Sequence, residues 1–107
     1  MPNMVRIGAF ECPGPSAIVL ARSGSKSVQL DVQGPGEVGA GLRVFASDDA
    51  VTWCEIALVS GTGMDSVREV QPIYTPHPFL RVVVDWVWPG AIAFVSIRTA
   101  PFKPMGS

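Results

Sequence analysis

The chain has 107 residues, 48% of them hydrophobic and only 16% charged, with a net charge of −1 and a mean hydropathy of +0.33. That length makes one domain able to close its own core without metals or disulfides. The shortfall in charge, against about 25% in ordinary globular chains, points to apolar surface that a neighbouring subunit covers.

Charges of both signs are interspersed, so there is no basic block to hold phosphate and no expectation of nucleic-acid binding. No apolar run approaches the roughly 18 residues of a membrane-spanning helix, and no membrane contact is expected. The first ten residues, MPNMVRIGAF, lack the apolar stretch of a signal peptide, so a soluble product not exported by that route is expected. Cys12 and Cys54 lack the C-x-x-C spacing of a metal or redox site and read as two reduced, partly buried thiols.

Ten prolines and eleven glycines, spread along the chain, leave few stretches long enough for a helix, and strands fit throughout. Residues 5–10 read as a first strand, ended by the corner Cys12-Pro13-Gly14-Pro15. Residues 17–21 (AIVLA) form a continuous apolar run, either a buried strand or a step between sheets. After a turn at 22–25, residues 27–32 alternate, with Val28, Leu30 and Val32 inward and Gln29 and Asp31 outward. Residues 34–41 (GPGEVGAG) read as a loop. Residues 42–46 and 54–60 flank Asp48-Asp49-Ala50 as a hairpin, because Ser and Asp side chains bond nearby backbone and favour turns. Gly61-Thr62-Gly63 breaks the chain again. Residues 67–73 alternate and must lie at an edge, since Pro72 cannot donate to a ladder. Residues 72–78 form an extended connection.

The most apolar stretch, 79–97, consists of two β-branched and aromatic runs joined by Trp88-Pro89-Gly90-Ala91, the sequence form of two paired strands. One face, Leu80, Val82, Val84, Trp86 and Trp88 with Ala93, Val95 and Ile97, is wholly apolar and belongs in a core. The other carries Phe79, Arg81, Val83, Asp85 and Val87 opposite Ile92, Phe94, Ser96 and Arg98. A tight turn would set Arg81 against Arg98, an unfavourable pairing, so this second face is expected to dock on a neighbouring sheet or subunit. Residues 1–4 and 100–107 read as extended arms. The whole predicts an all-β, single-domain antiparallel sandwich, jelly-roll-like, of about eight strands.

Chemistry is sparse. His77 lies between two prolines with no acid or nucleophile near it in sequence, and reads as an exposed loop residue. Asp48 and Asp49 fit a turn better than a calcium site, which needs several oxygens. No catalytic residue, cofactor site or metal site is expected, and the chain reads as non-enzymatic. The candidate contacts to a partner or second subunit are Tyr74, His77, Phe79, Val83, Trp88, Ile92, Phe94 and Phe102. Among them the loop aromatics Tyr74, Phe79 and Trp88, with His77, could instead stack on a sugar ring.

Two stretches carry a resemblance. Ser47-Asp48-Asp49-Ala50-Val51-Thr52-Trp53 is similar to the S-x-D-G-x-T-W hairpin of discoidin-like sugar-binding sandwiches, Asp-box repeats and small phage structural proteins, with Ala50 in the place of the glycine. Residues 78–84 (PFLRVVV) followed by 90–97 (GAIAFVSI) resemble the closing strands of those short phage proteins. The resemblance implies a tailed-bacteriophage structural subunit of the capsid decoration (cement) type. Such a protein would be made in the host cytoplasm and sit on the capsid exterior of the virion as a dimer or trimer. Its partners would be the major capsid protein and copies of itself. The alternative is a carbohydrate- or receptor-binding module, for example of a phage tail or fibre.

Overall fold

The computed structural model describes residues 3–16, 18–20, 26–73, 75 and 77–99. They form seven strands: β1 (Asn3–Phe10), β2 (Gly14–Pro15), β3 (Val19–Leu20), β4 (Lys26–Ser47), β5 (Cys54–Ile73), β6 (Phe79–Val87) and β7 (Ile92–Thr99). Every pairing is antiparallel. β1 already begins at Asn3, so residues 3–4 of the expected N-terminal arm belong to a strand, which leaves residues 1–2 of it. Those two, with residues 100–107, lie outside the described residues.

Two long strands build the architecture. β4 runs for 22 residues and β5 for 20, and each serves two sheets. Residues 26–33 of β4 pair with β7 on one side and with residues 66–73 of β5 on the other, and β1 extends this sheet beyond β7. Residues 40–47 of β4 pair with β6 and with residues 54–61 of β5, and the short β2 and β3 line the far side of β6. The two halves close on one another as an antiparallel sandwich measuring 44 × 36 × 17 Å, the thin dimension fitting two sheets about 10 Å apart.

Residues 34–41 are therefore not the loop their glycines and proline suggest. They lie inside β4, and the strand turns a corner there at a bulge: pairing with β5 stops at Gln33–Ser66 and resumes at Glu37–Met64. Gly36 takes φ +80° and Asp65, nearly opposite on β5, takes φ +66°, so both strands bend at one place. The Asp65 carboxylate accepts a hydrogen bond from the Gly36 amide at 3.0 Å and ties the two bends together. Gly34 is needed for packing, because a Cβ there would come within 2.7 Å of the Gly90 carbonyl. The expected break at Gly61-Thr62-Gly63 is absent for the same reason: β5 continues through it, paired to Val38, Gly39 and Ala40.

The core follows the period-2 pattern. Val28, Leu30 and Val32 from one half of β4 join Val38, Ala40, Leu42 and Val44 from the other, with Leu80, Val82 and Val84 of β6 and Ala93, Val95 and Ile97 of β7, all at most 2% exposed. Contact across the sandwich is direct, since a Cβ on Gly61 would meet Val67 and Glu69 of the other half of β5. Four polar residues among those described are buried: Lys26, Gln29, Ser47 and Ser96. Lys26 is 4% exposed and its Nζ has no hydrogen-bond partner among the described residues; burial pushes its pKa below the usual lysine value.

β6 and β7, expected to pair as a hairpin, do not pair at all. Each bonds to a different half of β4, and Trp88-Pro89-Gly90-Ala91 carries the chain from one sheet to the other. Arg81 and Arg98 are therefore never opposed: Arg81 faces Phe45, and Arg98 faces Ser27 and Met4. Asp85 finds Arg43 instead of Phe94, at 2.9 Å. Both thiols, expected to be partly buried, are free and exposed.

Candidate interaction surfaces

Separating β6 from β7 also separates the residues expected to share a docking face. Val83 lies half-buried on the outer side of the β6 sheet, opposite Arg43 and Pro15. Phe94 lies half-buried on the outer side of the β7 sheet, opposite Asp31 and Ala9, with the Arg6 guanidinium 4.8 Å from its ring centre. Ile92 is half-buried at the start of β7, facing Gln33. The Val83 and Phe94 faces thus look out from opposite sides of the sandwich. Phe79 pairs with Ser47 and Leu20 at the far end of β6 from Trp88. Tyr74 and Phe102 fall outside the described residues.

Trp86 departs from its expected place in the core. The register of β6 shifts between Val84 and Trp86, where Leu42 faces Val84 and Gly41 faces Trp86. The extra residue, Asp85, is a β-bulge that re-aims the following side chain. Trp86 consequently lies on the outer face, 36% exposed, beside Trp88 at 37%. Their ring centroids are 6.1 Å apart at an interplanar angle of 36°. Beneath them the outward positions of β4 are Gly39 and Gly41, where a Cβ would collide with both indoles. Neither glycine has a positive φ, so they serve the approach of the rings and not a turn.

From the indole pair the outer face continues along β4. Arg43 forms a two-pronged contact with Asp85, Nε to Oδ2 at 2.9 Å and Nη2 to Oδ1 at 2.9 Å, with Glu55 3.6 Å away on the other flank. Hydrogen bonding to Asp85 pushes the Arg43 pKa further above its already high value. Arg43 also sits 5.3 Å over the ring of Phe45, and Arg81 sits 4.8 Å over Trp53. The result is a band of aromatic rings and guanidinium groups, Trp88, Trp86, Arg43, Phe45, Arg81 and Trp53. The bulge that turns Trp86 outward leaves no mark in an alternation count. The readable signal was the pair of glycines at 39 and 41, alternating with buried Val38, Ala40 and Leu42.

The Asp48 end of the molecule holds a cleft of about 210 Å³ lined by Ala46, Ser47, Asp48, Asp49, Thr52, Cys54 and His77. Here His77, expected to be an exposed loop residue, is half-buried and has its Nδ1 2.5 Å from Asp48 Oδ1. The hairpin turn itself is heavily bonded. Asp49 Oδ1 accepts from the Val51 and Thr52 amides, both at 2.9 Å, and from the Ser47 hydroxyl at 2.8 Å. These bonds hold the Asp49 carboxyl down at about pKa 2. Ala50 takes φ +63°, the left-handed conformation a glycine adopts without cost. Among the described residues no group of three His, Cys, Asp or Glu side chains is arranged to hold a metal ion.

A third surface is the outer edge of β5. Among the described residues β5 pairs only with β4 along its length, and it carries Leu58, Met64 and Val70 at 65%, 65% and 52% exposure. Arg68 is tied to Asp31 at 2.8 Å across the β4 pairing.

No family model and no curated protein matches the sequence. Among solved structures, the SPBc2 prophage-derived protein YomS aligns over 94% of this chain and 96% of its own, with a TM-score of 0.60 and 11% identity. A variant of a family 29 carbohydrate-binding module aligns over 100% of both chains at a TM-score of 0.46 and 11% identity. The CBM22-1–GH10 modules of a Clostridium thermocellum endo-1,4-beta-D-xylanase align over 82% of this chain and 19% of theirs, at 0.46 and 14%. The likeness to the prophage-derived protein is one of fold, end to end in both chains.

Proposed function

We propose that this chain is a non-enzymatic structural subunit of a bacteriophage particle, of the capsid decoration type, which binds a neighbouring copy and the major capsid protein and so holds capsomers together. The observation that carries the reading is the 20-residue β5 edge, which among the described residues no strand but β4 pairs, with Leu58, Met64 and Val70 on it. An edge of that length presents a row of unpaired backbone donors and acceptors, the feature most apt to recruit another strand. Its four charged side chains, Glu55, Asp65, Arg68 and Glu69, are too few over 20 residues to blunt it. A stable interface takes about 800 Å² from each partner, roughly an eighth of the 6394 Å² this chain exposes. The fold shared with a prophage-derived protein supports the phage context.

In this role the protein acts mechanically. Backbone pairing along β5 sets the register with the partner, and burial of apolar side chains, at about 25 cal/mol per Å², supplies most of the affinity. Light scattering on the purified protein tests the first half of the reading, and co-sedimentation with shells assembled from a phage major capsid protein tests the second. The expected result is a dimer or trimer that pellets with shells, and loss of both with Leu58→Lys and Val70→Lys. A monodisperse 11.4 kDa monomer that stays in the supernatant would overturn it.

A further inference from the structure

We infer that the outer face of the β6 sheet is a binding platform for a neutral oligosaccharide, with the Trp86–Trp88 pair as its stacking floor. The proposal rests on the indole pair and not on strand pairing along β5, although Glu55, Leu58 and Thr62 of β5 border the same outer face.

The geometry is that of a built floor and not of a stray exposed ring. Trp86 has one indole face seated on Gly39 and Gly41, its Cζ3 end over one and its Nε1 end over the other. Trp88 is tethered beside it by its amide, bonded to the Gly39 carbonyl at 2.9 Å. With one side of each indole used by backbone, about a third of each side chain still faces water. Two glycines and a β-bulge are spent on this arrangement, each weakening the strand that carries it. A core role would have required none of them.

The surroundings select the class of ligand. A pyranose offers an apolar C–H face flanked by hydroxyl groups, so it needs an aromatic floor with donors and acceptors at the rim. The rim here supplies both: the Thr62 side chain beside Gly39, and the Arg43–Asp85–Glu55 cluster along the strand. Charge argues against a nucleic acid, the other ligand that stacks on aromatic rings. Arg43 and Arg81 are balanced by Asp85 and Glu55, so the band has no net positive charge to hold a phosphate chain. From Gly39 to Phe45 the band runs about 20 Å, at roughly 3.3 Å per strand residue, and Trp53 lies beyond it. That length fits a run of several sugar rings.

The test is intrinsic tryptophan fluorescence and isothermal titration of the full chain against cellohexaose, maltohexaose and chitohexaose, with oligo(dT) and oligogalacturonate as charged probes. At least one neutral hexasaccharide is expected to give a saturable shift, tightening from disaccharide to hexasaccharide. Trp88→Ala is expected to weaken it about tenfold or more, a loss of one stacking contact. Because Trp86→Ala exposes the glycine floor and could unfold the sheet, Trp86→Phe serves as the second variant, with circular dichroism confirming the fold. No saturable response from any neutral hexasaccharide would overturn the proposal. So would binding that survives both substitutions, tighter binding of oligo(dT) or oligogalacturonate, or a fluorescence change that depends only on protein concentration and marks a second copy on this face.

Discussion

The indole of Trp86 fills the space that a side chain at position 41 would need. A Cβ on Gly41 would overlap its five-membered ring, and one on Gly39 would come within 3.2 Å of its six-membered ring. Gly41→Ala is therefore expected to destabilise the protein by about 1–3 kcal/mol, the cost of overpacking a fitted site. Denaturant unfolding reads the stability, and near-ultraviolet circular dichroism reads displacement of the indole pair. An unchanged spectrum with unchanged stability would mean that the ring does not rest on the strand.

Ala50 presents the opposite case, a residue with a Cβ where the backbone favours none. Holding an L-residue at φ +63° costs about 1–2 kcal/mol, whereas glycine's extra freedom in the unfolded chain costs about 0.5–1 kcal/mol. The first effect is larger, so Ala50→Gly is expected to stabilise the protein by about 0.5–1 kcal/mol, seen as a higher denaturation midpoint at unchanged m-value. A decrease would place Ala50 outside the left-handed region.

Lys26 lies buried with its ammonium unpartnered among the described residues. Its folded-state pKa is below the unfolded 10.5, so between those two values the unfolded chain binds more protons, and stability rises as pH climbs toward 10.5. Lys26→Met keeps the volume and removes the desolvated amine. It is expected to stabilise the fold by about 1–3 kcal/mol at neutral pH and to flatten the alkaline rise. A variant less stable than the parent would show that Nζ is partnered.

Asp49 titrates in the other direction. Its folded pKa of about 2 lies below the ordinary 3.8 because the Thr52 and Val51 amides and the Ser47 hydroxyl all donate to it. The stability it contributes is complete above pH 3.8 and is lost as pH falls through about 2. In Asp49→Asn the turn keeps an acceptor but not the charge, so the difference between parent and variant should shrink steadily across that window. A difference that stays constant with pH would place the carboxylate's contribution elsewhere.

Much of the architecture was legible because period-2 alternation is a local signal. Val28, Leu30 and Val32 face the core as their spacing predicts, as do Leu80, Val82 and Val84. The Ser47–Trp53 turn and the edge position of Pro72 follow equally from residue chemistry. Continuity and pairing were not legible. Glycine and proline at 34–36 look like an ending, yet a bend shared with Asp65 on the partner strand lets the pairing resume at Glu37. Trp88-Pro89-Gly90-Ala91 looks like a hairpin turn, but whether two apolar runs pair with each other or with a third depends on where β4 lies. The one-residue bulge at Asp85 reverses which side Trp86 occupies, and only the partner strand reveals it. His77 and Asp48 meet because β6 returns beside the hairpin turn, a closure of 29 residues that sequence spacing does not record.

The unbroken passage of β4 and β5 around their common corner has a mechanical consequence. Because β4 and β5 both run through the corner, a load applied to one sheet is transmitted to the other through two covalent backbones whose pairing resumes directly after the bend. Shearing the sheets apart would require breaking that pairing beside the bend, which the Asp65–Gly36 bond holds, and not merely sliding one apolar layer over another. The molecule should respond to tension as a rigid strut.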